Sequence, residues 1–446
     1  MLPEQWNKMT SEEKFESRLA GWSSTEDKSF ATPEAAKTYQ ANARRFADVL
    51  KLKQPDRVPR VMLTGDYVAD YAGVSKGDMF YDYPKAIDAL IKFQRDFDLD
   101  YSAASNFLPG KVYDRLDYKL YRLPGNALAA TQSFQFVEGE YMTADEYPAF
   151  IANPEGFMMR TYIPRVMGAM GGWGLMPGML GAVELPFLPF MMPSFGIPPM
   201  QASMQAIAEA AQAALEWLGA NGQIGAVSQG ELGLPGTTGG FTKAPFDYLG
   251  DSLRGTRGIM MDLFRRPKQV LAAVEALVPL AIQMGVNAAN GSGNPFALIP
   301  LHKGADGFMS NADFEKFYWP TLKATLLGLI DEGVIPFLFV EGGYNQRLDI
   351  IANSGMPAGK TMWLFDQTDI AVAKKKFGSW ACIGGNVPAS LFKAGTPAQM
   401  NEYVKKSMDA CAPGGGYFIS PGAVLDQAQA ENVHAYFSAA KKYGTY

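Results

Sequence analysis

Five polar positions follow short apolar runs and could do chemistry: His302 and Asp306 in LHKGAD, Glu341 in FVEGG, Asp366 in LFDQTD, and Asn386 in GGN. An imidazole and two carboxylates can form an oxygen- and nitrogen-ligated zinc site or a metal-free acid/base group. We assign Glu341, His302 and Asp366 as catalytic candidates, with Glu341 and His302 as the pair that would hold a metal. Spacing does not choose between the two chemistries, because the three residues converge only through the fold. An imidazole serves equally well as an orienting partner, so His302 is read both ways. His434, in a C-terminal helix, is assigned to the surface or to packing. Asp369 stands where it could cap the helix TDIAVAKKKFG or join the site.

Substrate contacts are assigned to Tyr67, Tyr344, Asn386, Met309 and Glu231. Tyr344, Asn345 and Gln346 follow a double glycine and also suit a polar loop tip. Glu231, in SQGELGLPG, follows an apparent strand and is read as a catalytic acid or a loop charge. Cys382 sits inside an apolar run and suits a small core residue. GTTGGF at 236 to 241 has no P-loop lysine and serine, so it is no phosphate cradle.

These residues need a scaffold, and the chain is long enough to supply one. It has 446 residues, 48% of them hydrophobic and 19% charged, as an ordered globular protein does. A net charge of -5 without a basic stripe argues against nucleic acid. Two cysteines outside any CxxC exclude a disulfide framework, and the N-terminal residues lack the apolar core of a signal peptide; both point to the cytoplasm. Residues 1–50 read as a helical arm, in which Thr32 caps a helix with Pro33 in its first turn. In the C-terminal half, VIPFLFV, TMWLF, ACIGGN and GYFIS read as strands separated by helices, one of them opening at Ser310 and bent at Pro320. Strand–helix repetition predicts a parallel α/β sheet, and the lack of GxGxxG after a first strand favours a closed (β/α)8 TIM barrel over residues 51–446. The site candidates then lie on the face carrying the strand ends.

A Met- and Pro-rich insertion at about 167–200 interrupts this pattern. Pro177, Pro186, Pro189, Pro193, Pro198 and Pro199 would break a membrane-spanning helix where hydrocarbon offers no replacement hydrogen bonds. No membrane span is expected there. The segment reads as core packing with an oligomer contact, a lid, or a peripheral membrane contact; its methionines suit a wall around an apolar or aromatic ligand.

PDRVP at 55–59, YVADYAGVS at 67–75, GFMSNADFEKFYWPTLK at 307–323, GGNVPASL at 384–391 and GGGYFISPGAVLD at 414–426 together resemble the uroporphyrinogen decarboxylase superfamily, closer to its cobalamin-dependent methyltransferase branch than to its decarboxylases. The resemblance implies a TIM barrel and a methyl group moved between a small substrate and the cobalt of a corrinoid supplied by a separate protein. The decarboxylases carry an arginine-rich segment after the first strand, whereas MLTGDYVADYAG places Asp66 and Asp70 there, which would repel a polyanionic tetrapyrrole. The methyltransferases hold zinc through HxCG and a later SPGC. Here Phe339 falls at the histidine, Glu341 at the first cysteine and Ala423 at the second, so soft ligands are lost and any zinc would be weakly held. The alternatives are a lyase or decarboxylase of a non-tetrapyrrole acid and a noncatalytic ligand-binding relative.

Overall fold

A computed structural model describes residue 3 and residues 5–103 and 106–446. Its centre is a six-stranded parallel sheet in sequential order: β1 Gly240–Phe241, β2 Phe296–Leu301, β3 Ile335–Val340, β4 Met362–Phe365, β5 Cys382–Gly384 and β6 Tyr417–Phe418. Every residue of β3 and β4 is buried. Unbroken apolar runs such as IPFLFV form strands here because both faces of the sheet are covered.

Alternation along β3 divides the core in two. Ile335, Phe337 and Phe339 join one buried cluster with Val61, Leu63, Tyr101, Phe296 and Phe418, while Leu338 and Val340 join the other, under the surrounding helices. Helices Ser11–Ser23 and Pro33–Leu50 pack into the first cluster through Trp22 and Phe46, whose rings lie 5.0 Å and 5.2 Å from that of Phe296. Thr32 caps the second helix by accepting from Ala35 N–H.

The expected closed barrel is met as a sheet with looser edges. Beyond β6, residues 58–64 run parallel but attach only through isolated bridges, with Val61 N–H donating to Ile419 O at 2.9 Å and Leu425 N–H to Leu63 O at 3.0 Å. Pro59 has no donor for a ladder, and Asp100 takes the Arg60 N–H at 2.9 Å, so a continuous strand is interrupted. At the other edge, Ser102 N–H donates to Pro235 O at 3.0 Å. Among the described residues, strand pairing does not close a ring.

Three local readings meet the structure directly. Ser310 caps a helical run that continues from Asn311 to Asp331, and it widens to a π segment at Phe314–Tyr318 just before Pro320, which lacks the N–H of a regular α turn. Asp369 caps Ile370–Phe377 by accepting from Ala371 and Val372 N–H, and His434 stacks 4.8 Å from the Phe97 ring. The strand expected before Glu231 is instead the long helix Pro198–Gly225 continuing to Glu231; a run of Ala, Leu and Gln keeps helical period through QIGAVSQ. One helix, Pro267–Ser292, is long and apolar enough to cross a membrane by length and composition; Val270, Ala273 and Val274 on it are buried in the protein. Residues 168–196 form short helical turns divided by prolines, with large apolar side chains outward.

Candidate active site

The site grows from the C-terminal ends of β1, β2 and β3. β2 delivers His302, and β3 delivers Glu341 directly beyond the register pair Leu301–Val340; β3 is buried throughout, and β2 is buried except at the half-buried Leu298 and Pro300. After β1 the chain turns into helical segments Pro245–Asp247 and Tyr248–Leu253, placing Asp247 and Asp251 one turn apart on the same side. Asp247, fully buried, is the base of the site. It accepts from His302 N–H at 3.0 Å, Lys303 N–H at 2.9 Å and the Tyr318 hydroxyl at 2.7 Å. These contacts fix the turn at which β2 ends. Burial pushes the Asp247 carboxyl above its usual range, and the neighbouring Asp251 charge adds to the rise.

Asp251 binds the imidazole: its Oδ2 lies 2.5 Å from His302 Nδ1 and 2.6 Å from Lys243 Nζ, and its Oδ1 lies 3.5 Å from Lys303 Nζ. The other ring nitrogen, Nε2, is 3.6 Å from Glu341 Oε1. Burial alone would lower the His302 pKa. The hydrogen bond to Asp251, the Glu341 carboxylate 3.6 Å from Nε2 and the charge of Asp247 overcome it and hold the ring protonated up to about 10. Burial likewise opposes ionisation of Asp251, but His302 and Lys243 bring its pKa down to about 2. The ring is a third exposed, so Nε2 of a fixed imidazolium is within reach of a bound molecule.

Asp366, at the end of β4, binds the turn after Glu341: its Oδ2 accepts from Gly342 N–H at 3.0 Å. Gly342 has φ +76°, a conformation that favours glycine, and this brings the turn back toward β4. Burial raises the Asp366 pKa, with the Glu341 charge contributing. Asn386 braces the same end: its amide donates to Asp366 O at 2.9 Å and Thr368 O at 2.6 Å. It therefore acts on the site through Asp366.

The remaining assignments divide. Tyr344 is not at a loop tip; it is fully buried against Phe314 and beside Tyr318, because the Gly342–Gly343 turn folds it inward. Met309 is buried, and its carbonyl accepts from the Arg347 guanidinium, which makes it a brace for the loop after β2. Tyr67 is buried at the start of Tyr67–Ala72, 6.0 Å ring to ring from Phe93. Glu231 ends a helix and pairs with Arg95 at 2.7 Å, with both side chains about half exposed, so it does not join His302. Sequence reasoning missed Asp247, Asp251, Lys243, Lys303 and Tyr318. The pattern FTKAPFDYLGD, two acids four residues apart after a strand, carried that signal.

The residues do not fit the zinc that the family resemblance implies. Phe339 is buried among the strand side chains, Ala423 carries no donor, and among the described residues no group of three or more His, Cys, Asp or Glu could hold a metal ion. Only His302 Nε2 and Glu341 converge, and zinc sites use at least three protein ligands.

No protein-family model matches the chain, and no curated protein does. A solved structure described as a methyltransferase from Methanosarcina mazei is similar in fold: the TM-score is 0.56 at 14% identity, over 90% of this chain and 98% of that one.

Proposed function

We propose that this chain is a corrinoid-dependent methyltransferase of the uroporphyrinogen decarboxylase superfamily, moving a methyl group between a small apolar or aromatic substrate and the cobalt of a corrinoid on a separate protein. The observation that carries this reading is the protonated His302, held between Asp251 and Glu341 at the strand ends. Cleavage of a methyl–oxygen bond leaves an oxyanion, and proton donation to it in the transition state contributes about 10²–10⁴-fold. His302 Nε2 is placed to give that proton, becoming a neutral imidazole, while Asp251 keeps the ring oriented through Nδ1. His302 and Lys243 keep Asp251 ionised, and Asp247 fixes the backbone that carries His302. A corrinoid docked at the strand ends would supply the methyl acceptor, with no zinc called on. The likeness in fold to a methyltransferase supports the reading as a prior, and the site residues carry it.

The same reading takes the sheet as an eight-stranded barrel with further staves at 58–64 and 98–103, supported by their hydrogen bonds to residues 419 and 235 and by the cluster joining Val61 and Tyr101 to Phe296, Phe337 and Phe418. We place the protein in the cytoplasm, consistent with two free, buried cysteines.

The test is methyl transfer from a series of aryl methyl ethers to free cob(I)alamin, followed by methylcobalamin absorbance. With His302→Gln the rate is expected to fall roughly 10²-fold, most for ethers of the least acidic phenols, because these need the proton most. Equal loss across the series removes His302 as the acid. Lys243 and Lys303 give the lyase reading one specific footing, as cations for a substrate carboxylate; carbon dioxide release without methyl transfer would establish it instead.

A further inference from the structure

Among the described residues, the insertion is where large apolar side chains face water in a continuous run. Leu180, Leu185 and Phe190 are 82%, 89% and 85% exposed, and Val183 and Phe187 between them are at least half exposed. Apolar area over residues 175–192 is on the order of 1,000 Å², above the roughly 300–600 Å² of the largest patch on an ordinary monomer. It is also near the ~800 Å² per partner of a stable interface.

Charge narrows the occupant. No Lys or Arg occurs between Arg165 and Lys243, and Glu184 is the only charged residue between Arg165 and Glu209. Glu209 and Glu216, on the adjoining helix, are engaged within the chain by Arg115 at 3.1 Å and Lys111 at 3.1 Å. An anionic membrane surface draws in segments rich in Lys and Arg, which this one lacks. A partner recognised by charge finds nothing to pair with.

The chain itself carries the complementary shape. Beside the insertion, Val112, Leu116, Ile163, Trp173, Ile207 and Ala214 line a pocket of about 290 Å³ that is apolar on nearly all its surface. A cavity of about 150 Å³ takes a benzene ring, so this one has room for Phe190 or Leu185 with neighbouring atoms. Knob and hole lie on one molecule without charges between them, which is what a self-complementary contact requires.

We propose that the insertion is a homodimer interface in which the projecting turns around Leu180, Leu185 and Phe190 of one copy seat in the Val112–Ile163–Ile207 pocket of a second. Burial of the knob drives association, and the pocket sets its geometry. The prolines keep the turns from collapsing onto their own subunit, since each removes a helical donor and fixes φ.

The test is the mass in solution of the full chain, by light scattering on a sizing column and by sedimentation equilibrium. The parent is expected at twice 48.6 kDa at micromolar concentration. Leu185→Asp/Phe190→Asp should weaken self-association at least 100-fold without changing the circular dichroism spectrum, as both residues project into solvent. Ala214→Trp should weaken it comparably by filling the pocket from the other side. Leu185→Cys mixed with Ile207→Cys should form an intersubunit disulfide, the native Cys382 and Cys411 being buried and silent. A parent that is monomeric at 100 µM overturns the proposal. So does a dimer that survives both substitutions, and so does sedimentation of the monomeric parent with neutral phosphatidylcholine vesicles, which would assign the turns to a lipid surface.

Discussion

The two sides of the sheet's C-terminal end hold charge in opposite ways. At β1 to β3, cations and anions interleave: Lys243, Lys303 and His302 surround Asp251, whose pKa drops to about 2 while that of His302 rises to about 10. At β4 and beyond β6, the carboxyls of Asp366 and Asp426 are driven toward the neutral form, mainly by burial, with Glu341 and Asp66 adding like charge. The first side sets a fixed imidazolium above a buried carboxyl, Asp247, that also resists ionising, and the second offers such carboxyls without an imidazole beside them. On the proposed reading, the chemistry falls to the first side and bracing to the second.

The largest effect should come from Asp251→Asn. It removes the anion that holds His302 protonated and leaves Lys243 and Lys303 without their shared partner. Methyl transfer at pH 8 is expected to fall about 10²–10³-fold, within the range of lost acid catalysis. Parent activity should persist until His302 loses its proton near 10; in the variant that loss should move toward the ordinary histidine value of about 6.5. Stability follows the same sign. The raised His302 pKa contributes stability in full below about pH 6.5, and that stability disappears as pH rises through about 10. The depressed Asp251 pKa contributes stability present above about pH 3.8 and lost as pH falls through about 2. Urea midpoints from about pH 2 to about pH 11 and kcat/KM profiles check both. A variant with the parent's profile would erase the distinction between the two sides.

Asp366→Asn should act weakly and in the opposite sense on stability. Its carboxyl is already inclined to be neutral, and an amide oxygen can still accept from Gly342 N–H. A raised carboxyl pKa favours folding in acid and loses that advantage as pH rises, so the variant should be equal or more stable at pH 8, by up to ~1 kcal/mol. Activity should fall less than about 10-fold, well short of the roughly 10²-fold lower bound for a lost general acid. A loss as large as that of Asp251→Asn would move the chemistry to β4.

Much of this arrangement was legible in the chain, for physical reasons. Doubly covered strands are written as apolar runs, so IPFLFV and MWLF declared themselves, Thr32 and Ser310 declared their caps, and Asp369 turned out to be the cap of the two roles its position allowed. The convergence of His302 and Glu341 followed from strand order, which places residues after adjacent strands side by side. Asp251 was not paired with His302 because the contact spans 51 residues; FTKAPFDYLGD marks two acids on one helical side but not the strand end they meet. Tyr344 was misplaced because a polar sequence after two glycines looks the same whether the turn projects outward or folds back. The loose edge at 58–64 reflects Pro59 and a side chain, Asp100, taking a ladder donor.

The smallest effect expected is that of Glu231→Ala, and it tests the comparison most cheaply. Glu231 and Glu341 have similar local sequence, an acid beside glycine after an apolar run, yet one ends a helix and the other a buried strand. Glu231 makes a single ion pair with Arg95 between two side chains about half exposed to water. Such pairs contribute about 0–1 kcal/mol, since solvent screens the attraction and both chains lose rotamer freedom. The helix end has other support: Leu232 and Leu234 N–H donate to Val227 O and Ser228 O at 3.0 Å and 2.8 Å. Loss of the carboxylate should therefore shift the urea midpoint by the equivalent of less than ~0.5 kcal/mol and leave methyl transfer within twofold of the parent. A tenfold loss of activity at unchanged stability would place Glu231 against the substrate and extend the working side of the molecule to the long helix.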